Sequence, residues 1–290
     1  MYLLFSVTIP KELAEPFEEE LYFITGLSWE TQVTEEKTIF KFYFPLSLNP
    51  KDEEKLSTLE KLTAKFDSAV PEYTLIKREN WEIIWKYHFK PLKVGKKLLI
   101  LPPWEEASLS SEEEIVIYID PGQAFGTGHH ATTQLMLENL ESFLEEITKI
   151  KEAPLILDLG CGTGILSIAA AKLCPKATIY AVDIDELALE ATEKNAKLNH
   201  VWEQIKIASA IPEEINIKFD LILANIGFRE LKSLAPSFTQ YCHPKNTLLL
   251  LSGVLREDLP ELEKVYISLG FQKLKSQFLK EWSLLALRAP

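Results

Sequence analysis

Cysteine, methionine and histidine are scarce in this sequence of 290 residues, which has three, two and five of them. Cys161, Cys174 and Cys242 show no paired spacing, so we expect reduced thiols rather than disulfides. No apolar run is long enough for a membrane-spanning helix, and the first residues lack the basic leader of a signal peptide. These absences predict a cytoplasmic protein without a membrane partner.

Basic residues are also fewer than acidic residues. The 31 lysines and arginines against 43 aspartates and glutamates leave a net charge of −12. A protein that binds by neutralising phosphates needs the opposite sign, so the composition disfavours direct nucleic-acid binding and suits a basic partner. The chain exceeds the length of one typical domain, and 47% of its residues are hydrophobic. We therefore expect a monomer with one large and one small domain.

The most informative segment is a glycine-rich turn in the middle of the chain. An apolar run contains Asp158, and Gly160, Gly162 and Gly164 follow at alternate positions. A helical pattern comes next, and then a second apolar run that ends at Asp183. Strand, tight turn, helix, strand and acid form the first half of a nucleotide-binding α/β sheet. The glycines let a ligand approach the backbone, and the later acid can accept hydrogen bonds from a ribose diol.

The glycine spacing separates this turn from two other nucleotide-binding loops. A dinucleotide fingerprint has its third glycine at the sixth position, which is Ile165 here. No Lys-Ser or Lys-Thr pair follows, which excludes a phosphate-binding P-loop. The Asp-x-Gly-x-Gly-x-Gly form with the later acid resembles the cofactor loop of class I S-adenosylmethionine-dependent methyltransferases. That resemblance implies S-adenosylmethionine as the ligand, and the alternative is an ordinary glycine turn.

The pattern of elements predicts three parts of the chain. Over residues 1–77 the order strand, helix, strand, strand, helix, strand predicts a small ferredoxin-like α+β domain. Residues 78–92 carry apolar side chains at helical spacing, which predicts a linker helix. In residues 93–290 strands and helices alternate, and this favours a Rossmann-like parallel sheet covered by helices.

A second glycine-rich segment precedes the first. Residues 120–133 have the sequence DPGQAFGTGHHATT, and a helical pattern follows from Gln134. The two threonines suit a helix start, because hydroxyls satisfy free backbone amides. Three glycines next to an aromatic residue exceed what a helix cap needs. We therefore predict that Phe125, Gly126 and Thr127 contact the same ligand, and the alternative is a capped helix after a loop.

Residues 120–133 resemble the signature of the bacterial methyltransferases that modify ribosomal protein L11. Further stretches are similar to that family: residues 81–104, Asp158–Gly164, Ala224–Ile226, Leu251–Gly253 and Glu281–Trp282. The resemblance is strong over residues 80–290 and architectural only over residues 1–77. It implies that the residues in contact with S-adenosylmethionine are Thr133, Gly160, Asp183 and Asn225.

The chain departs from the family pattern at two positions. Ala131 stands where proline is common, and we expect this change to be harmless. Gly227 follows Asn225-Ile226 where a larger apolar residue is usual, which affects the floor of the acceptor pocket.

The resemblance implies methyl transfer to amino groups, either lysine side chains or the terminal amine, of a large-subunit ribosomal protein. Asp158 and Gly162 belong to the same loop and are expected to contact the donor, while Asn225 contacts the donor or orients the amine. A lysine ammonium, with a pKa of about 10.4, must lose a proton before it attacks. Water or a desolvated channel could take that proton without a dedicated base. His129 and His130 are candidates to accept it, and the alternative for them is a positioning or exposed role. No ligands at suitable spacing accompany them, so we expect no metal.

Three other functions stay open. The main alternative is a lysine methyltransferase with a different protein substrate, because donor motifs barely constrain the acceptor. The second is a nucleic-acid base methyltransferase. Such enzymes often carry Asn/Asp-Pro-Pro-Tyr/Phe after the fourth strand, where this chain has Asn225-Ile-Gly-Phe without either proline. The third is a catalytically silent cofactor-binding module, against which the intact glycine loop and Asn225 argue.

Overall fold

The computed structural model describes residues 2–21, 24, 29–34, 36–45, 50–66, 68–76, 90–105, 107, 111, 113–120, 126–211 and 217–290. The chain divides into two compact units, Met1–Phe89 and Lys90–Pro290. No helix within the described ranges combines the length and the apolar character that crossing a membrane requires.

The first unit has the element order predicted from the sequence. Its elements are β1 (Tyr2–Pro10), α1 (Ala14–Leu21), β2 (Glu30–Val33), β3 (Lys37–Pro45), α2 (Pro50–Thr63) and β4 (Val70–Ile76). The strands pair in the order β2-β3-β1-β4, and every pairing is antiparallel. This is the ferredoxin-like arrangement.

The core of this unit is formed by alternate side chains of its two central strands, β1 and β3. Every second residue is buried over Phe5–Ile9 in β1 and over Phe40–Phe44 in β3, because successive side chains point to opposite faces of a sheet. Phe17 of α1 and Leu59 of α2 are fully buried against that face. The aromatic pattern of the sequence therefore specifies the side of the sheet that the helices cover.

The second unit starts with a small sheet that the sequence did not predict. Its strands are β5 (Leu92–Val94), β6 (Leu98–Leu101) and β7 (Ile115–Tyr118), in the order β5-β6-β7. The predicted linker helix over 78–92 is therefore too long at its end, because Leu92 already pairs with Ile100. Pro91 disfavours helix at the residue before it and lacks a backbone donor, which suits a strand start. Residues 78–89 of the predicted helix lie outside the described residues.

A seven-stranded sheet dominates the second unit, in the order β10-β9-β8-β11-β12-β14-β13. Its strands are β8 (Leu155–Leu159), β9 (Thr178–Val182), β10 (Ile205–Ala208), β11 (Leu221–Asn225), β12 (Leu248–Leu255), β13 (Gln272–Leu279) and β14 (Trp282–Arg288). The first five strands in that order are parallel, and β14 runs antiparallel to both of its neighbours, β12 and β13. The order reverses between β8 and β11, which is where ligands bind in open α/β sheets.

Helices cover both faces of this sheet. They are α3 (Ala131–Thr148), α4 (Ile165–Leu173), α5 (Glu186–Leu198), α6 (Phe228–Phe238) and α7 (Leu259–Ser268). In β11, Leu221 and Leu223 join the core under α3 and α4, whereas Ile222 and Ala224 join the core under α6 and α7. An almost continuous apolar run is what a strand buried on both faces requires. The predicted Rossmann-like α/β class is confirmed.

Candidate active site

The glycine-rich turn links β8 to α4 and has a left-handed backbone at three positions. Its φ angles are 74° at Gly160, 56° at Gly162 and 79° at Gly164, a region that side chains other than glycine rarely occupy. The amides of Gly160 and Cys161 both donate to the carbonyl of Val182, at 2.8 and 3.1 Å. The turn is therefore tied to the end of β9, directly before the acid predicted to bind ribose.

Asp183 lies beside this turn. Its Oδ2 accepts a hydrogen bond from the amide of Gly162 at 3.0 Å, and its Oδ1 accepts one from the amide of Asp185 at 3.1 Å. Asp185 itself caps α5 by accepting from the amide of Leu187 at 3.0 Å. Asp183 and Asp185 thus have different roles, because the first faces the glycine turn and the second caps the start of α5.

Asp158 lies under the glycine turn and is fully buried. Its Oδ2 accepts from both the amide and the hydroxyl of Ser167, at 3.0 and 2.6 Å. Its Oδ1 is buried and has no hydrogen-bond partner among the residues that the structure describes. Burial raises the pKa of Asp158 to about 6, with a small further rise from the charge of Asp183, against the lowering effect of the bonds from Ser167.

In the donor-free protein, the stability of Asp158→Asn relative to the wild type should rise between pH 4 and pH 8. The folded-state pKa lies above the unfolded value, so the stabilising contribution of this carboxyl is complete below about pH 4 and is lost as the pH rises through about 6. The advantage of the variant should grow by about 3 kcal/mol between pH 4 and pH 8, as measured by urea unfolding. Asp185→Asn is the matched control, and an advantage for Asp158→Asn that does not vary with pH would contradict the assignment.

The second glycine-rich segment packs against the first. The Thr163 hydroxyl donates to the carbonyl of Gly126 at 2.5 Å. A side chain at Gly128 would approach Ile165 Cδ1 to 3.2 Å, and the φ of Gly128 is 93°. Thr127, between the two glycines, is half-buried. The two segments therefore lie together, while Phe125, also predicted to contact the ligand, lies outside the described residues.

The start of α3 differs from the predicted cap. The helix begins at Ala131 rather than Gln134, and its N-cap is His130, whose Nδ1 accepts from the amide of Thr132 at 3.4 Å. The prediction that a threonine hydroxyl caps the helix was wrong, because the imidazole of His130 accepts the hydrogen bond from the Thr132 amide. The Thr132 hydroxyl instead lies 2.7 Å from the same nitrogen.

Both candidate histidines have structural contacts. The ring of His130 packs edge-on against Trp282, with 4.9 Å between the centroids, and burial lowers the pKa of His130. The Nε2 of His129 donates to the carbonyl of Lys90 at 3.0 Å. These contacts favour a positioning role over proton transfer.

Thr133 and Asn225 meet at the point where the strand order reverses. Thr133 is fully buried in the first turn of α3, and Asn225 ends β11. The Nδ2 of Asn225 donates to the Thr133 hydroxyl at 3.3 Å. The Oδ1 of Asn225 is buried, and no described residue bonds to it. Two of the four residues implied by the family resemblance are thus in direct contact.

Ile226 is wedged between two glycines. A Cβ at Gly160 would lie 2.3 Å from Ile226 Cγ2, and a Cβ at Gly253 would lie 2.2 Å from the carbonyl oxygen of Ile226. Gly253 forms a bulge in β12, between Ser252 and Val254, with a φ of 91°. Position 253 therefore requires a glycine. The sequence signal for it is a glycine inside an apolar strand, which often marks a bulge or a close backbone approach.

Asn195 of α5 and Asn199, the C-cap of that helix, were missed by the sequence reasoning. Asn195 bonds to the backbone of Asp120 and Thr163, and Asn199 bonds to the backbone of Tyr118. The signal available was a pair of asparagines four residues apart, one inside the helix and one directly after it, because asparagine is a poor helix former.

A Rossmann-like sheet with this glycine turn and an acid after its second strand defines a class I methyltransferase. The family model described as "Ribosomal protein L11 methyltransferase (PrmA)" matches residues 5–290. The chain therefore belongs to the ribosomal protein L11 methyltransferase family. The match begins at residue 5, so it includes the part of the chain where the resemblance in sequence was architectural only.

Individual relatives agree with the family match. The ribosomal protein L11 methyltransferase of Citrifermentans bemidjiense is 40% identical over 222 residues, which are 77% of this chain and 71% of that protein. The protein of the same name from Legionella pneumophila (strain Lens) is 40% identical over 234 residues, 80% of this chain and 76% of its own. A crystal structure of ribosomal protein L11 methylase from Lactobacillus delbrueckii subsp. bulgaricus has a TM-score of 0.61 and 31% identity, and the match covers 69% of this chain and 99% of that chain.

Proposed function

We propose that this protein transfers methyl groups from S-adenosylmethionine to amino groups of ribosomal protein L11, namely lysine side chains, the terminal amine or both. The observation that carries the proposal is the contact between Asn225 and Thr133, at the sheet position where ligands bind, in a chain of this family. The relatives bear the name of this activity. The function needs no contact with RNA or a membrane, and we place it in the cytoplasm with the protein as a monomer.

The site fits the proposed donor in its chemistry. S-adenosylmethionine carries an ammonium group, an adenine amine and a ribose diol, all of which donate hydrogen bonds. The buried oxygens Asp158 Oδ1 and Asn225 Oδ1 have no partner among the described residues, and such atoms are costly unless a donor satisfies them. The Asp183 carboxylate is an acceptor suited to the diol.

The donor-holding residues come from both glycine-rich segments. We propose that Thr133, Gly160, Asp183 and Asn225 hold the donor. We propose that four further residues of these segments contact the donor as well: Gly126, Thr127, Asp158 and Gly162.

The chain itself holds and orients the reactants. When bound, S-adenosylmethionine supplies a methyl group on a sulfonium, already activated for in-line displacement. We propose that Asn225 positions the reacting groups, since its amide nitrogen bonds to Thr133 while its oxygen is left for a ligand donor. Because His129 and His130 already contact Lys90 and Thr132, we assign the proton of the incoming ammonium to water.

Labelled methyl transfer tests the proposal. The purified protein is incubated with methyl-labelled S-adenosylmethionine and, separately, with L11, with other large-subunit proteins and with a ribosome-depleted lysate. Label on amines of L11, located by mass spectrometry, is the expected result. Label on another protein would support the alternative lysine methyltransferase, and label on nucleic acid the base methyltransferase. Donor binding without any transfer would indicate a silent module.

Removal of the first unit should separate donor binding from substrate recognition. We propose that the ferredoxin-like unit recruits the protein substrate, because it has its own core and contains none of the candidate donor residues. A chain of residues 90–290 should bind S-adenosylmethionine within about twofold of the full chain, by calorimetry. Its methylation of L11 should fall by at least about a hundredfold. Circular dichroism controls for folding, and full activity of the shortened chain would refute the recruiting role.

A further inference from the structure

Asn195 is a buried polar residue whose side chain forms hydrogen bonds with residues outside its own helix. Its Oδ1 accepts from the amide of Asp120 at 2.9 Å. Its Nδ2 donates to the carbonyl of Asp120 at 3.2 Å and to the carbonyl of Thr163 at 2.9 Å. One fully buried carboxamide therefore joins the beginning of the second glycine-rich segment to the glycine turn.

The same threonine joins the two segments a second time. While its carbonyl is held by Asn195, the Thr163 hydroxyl donates to the carbonyl of Gly126. One turn earlier in α5, the hydroxyl of Thr192 donates to the carbonyl of Gly162 at 3.0 Å. Side chains of α5 thus set the position of the glycine turn. This helix begins at Glu186, three residues after Asp183.

We propose that Asn195 is a positioning residue for donor binding, which holds the glycine turn at a fixed distance from the Asp120 backbone. The inference rests on the proposed function, because it assumes that both glycine-rich segments contact the donor. Without the carboxamide, the buried carbonyl of Thr163 and the half-buried amide and carbonyl of Asp120 lose their partner, and the two segments move apart to regain hydrogen bonds with water. Donor binding must then restore the original arrangement, and its affinity falls accordingly.

Asn199, the C-cap of the same helix, provides a matched control. It is also buried, its Oδ1 accepts from the amide of Tyr118 at 2.9 Å, and its Nδ2 donates to the carbonyl of Tyr118 at 2.6 Å. Its other hydrogen bond goes to the carbonyl of Asn195, and within the described part of the chain its side chain makes no bond to the glycine turn. The two residues therefore make the same type of bond, but only Asn195 connects to the proposed donor site.

The test compares Asn195→Ala with Asn199→Ala in the full chain. Thermal unfolding, the Kd for S-adenosylmethionine by calorimetry, and kcat and both KM values in methyl transfer to L11 are measured for each. Both variants should unfold at lower temperature. Asn195→Ala should raise the Kd and KM for S-adenosylmethionine about tenfold or more, and Asn199→Ala less than about twofold. The KM for L11 should be the same in both variants.

A second pair of variants keeps the volume of the side chain. Asn195→Asp retains an acceptor for the amide of Asp120 but loses the donor to the carbonyls of Asp120 and Thr163, and Asn199→Asp makes the equivalent change beside Tyr118. This pair decides the question where the alanine variant does not fold. If the position-195 and position-199 variants of a pair bind S-adenosylmethionine with equal affinity, the positioning role of Asn195 is overturned and the proposed function is not. A wild-type protein that binds no S-adenosylmethionine overturns the proposed function together with this inference.

Discussion

Replacement of Asp183 by alanine should weaken the binding of S-adenosylmethionine by about a hundredfold or more. A carboxylate that accepts two ribose hydroxyls makes two charge-assisted bonds, each worth about 1.5–3 kcal/mol. The substitution also removes the acceptor for the Gly162 amide, which lies 3.0 Å from Oδ2 in the glycine turn. Isothermal titration calorimetry of the wild-type and variant proteins with S-adenosylmethionine measures the effect directly.

Asp185→Ala separates this effect from a general disturbance of the turn. Asp185 is two residues away and exposed, and its Oδ1 accepts from the amide of Leu187 as the cap of α5. Loss of a helix cap costs about 1 kcal/mol of stability. We expect that cost in unfolding experiments with Asp185→Ala, with donor affinity within about twofold of wild type. Donor affinity that is unchanged in Asp183→Ala would remove this residue from the site.

The largest stability effect is expected for Gly253→Ala. The added Cβ would lie 2.2 Å from the carbonyl oxygen of Ile226 and 2.8 Å from its carbonyl carbon. Since the colliding atoms belong to the backbone, the segment after Asn225 must move. The φ of 91° adds strain for any residue with a side chain. We expect a loss of about 3 kcal/mol or more in the free energy of unfolding, together with weaker donor binding.

Gly95→Ala is the control for the strain alone. Gly95 also has a positive φ, of 63°, but a Cβ there meets nothing closer than Glu138 Cα at 3.7 Å. The expected loss is about 1–2 kcal/mol, from the left-handed backbone by itself, with donor affinity unchanged. Urea unfolding of both variants gives the comparison. Equal losses in the two variants would show that the collision with Ile226 has no energetic weight.

The parts of the fold that the sequence predicted depend on local patterns. In the glycine turn and Asp183, residue type and short spacing determine the structure, because the turn needs φ angles that only glycine adopts easily. The run around Leu221–Ala224 predicts a strand covered on both faces, since all of its residues are apolar. The order of elements over residues 1–77 likewise predicts the ferredoxin-like sheet, because each strand has its own alternating pattern.

The features that were missed depend on partners far away in the chain. Leu92–Val94 is too short to show a period, and its pairing with Leu98–Ile100 decides that it is a strand. Thr132 has good capping chemistry, but the preceding His130 takes that role in the folded chain. Asn195 is 75 residues from Asp120 and 32 from Thr163, and no local pattern connects them.

The sequence by itself determined the class of fold and the donor half of the reaction. The glycine turn and the acid after the next strand are local, and their geometry follows from backbone conformation and residue type. The family resemblance of residues 120–133, earlier in the chain, pointed to the acceptor. Only the tertiary structure decided that Asn225 bonds to Thr133, that Ile226 needs a glycine at position 253, and that Asn195 joins the two glycine-rich segments. These contacts arise where parallel strands end side by side, and strand order is a property of the whole sheet rather than of any one segment.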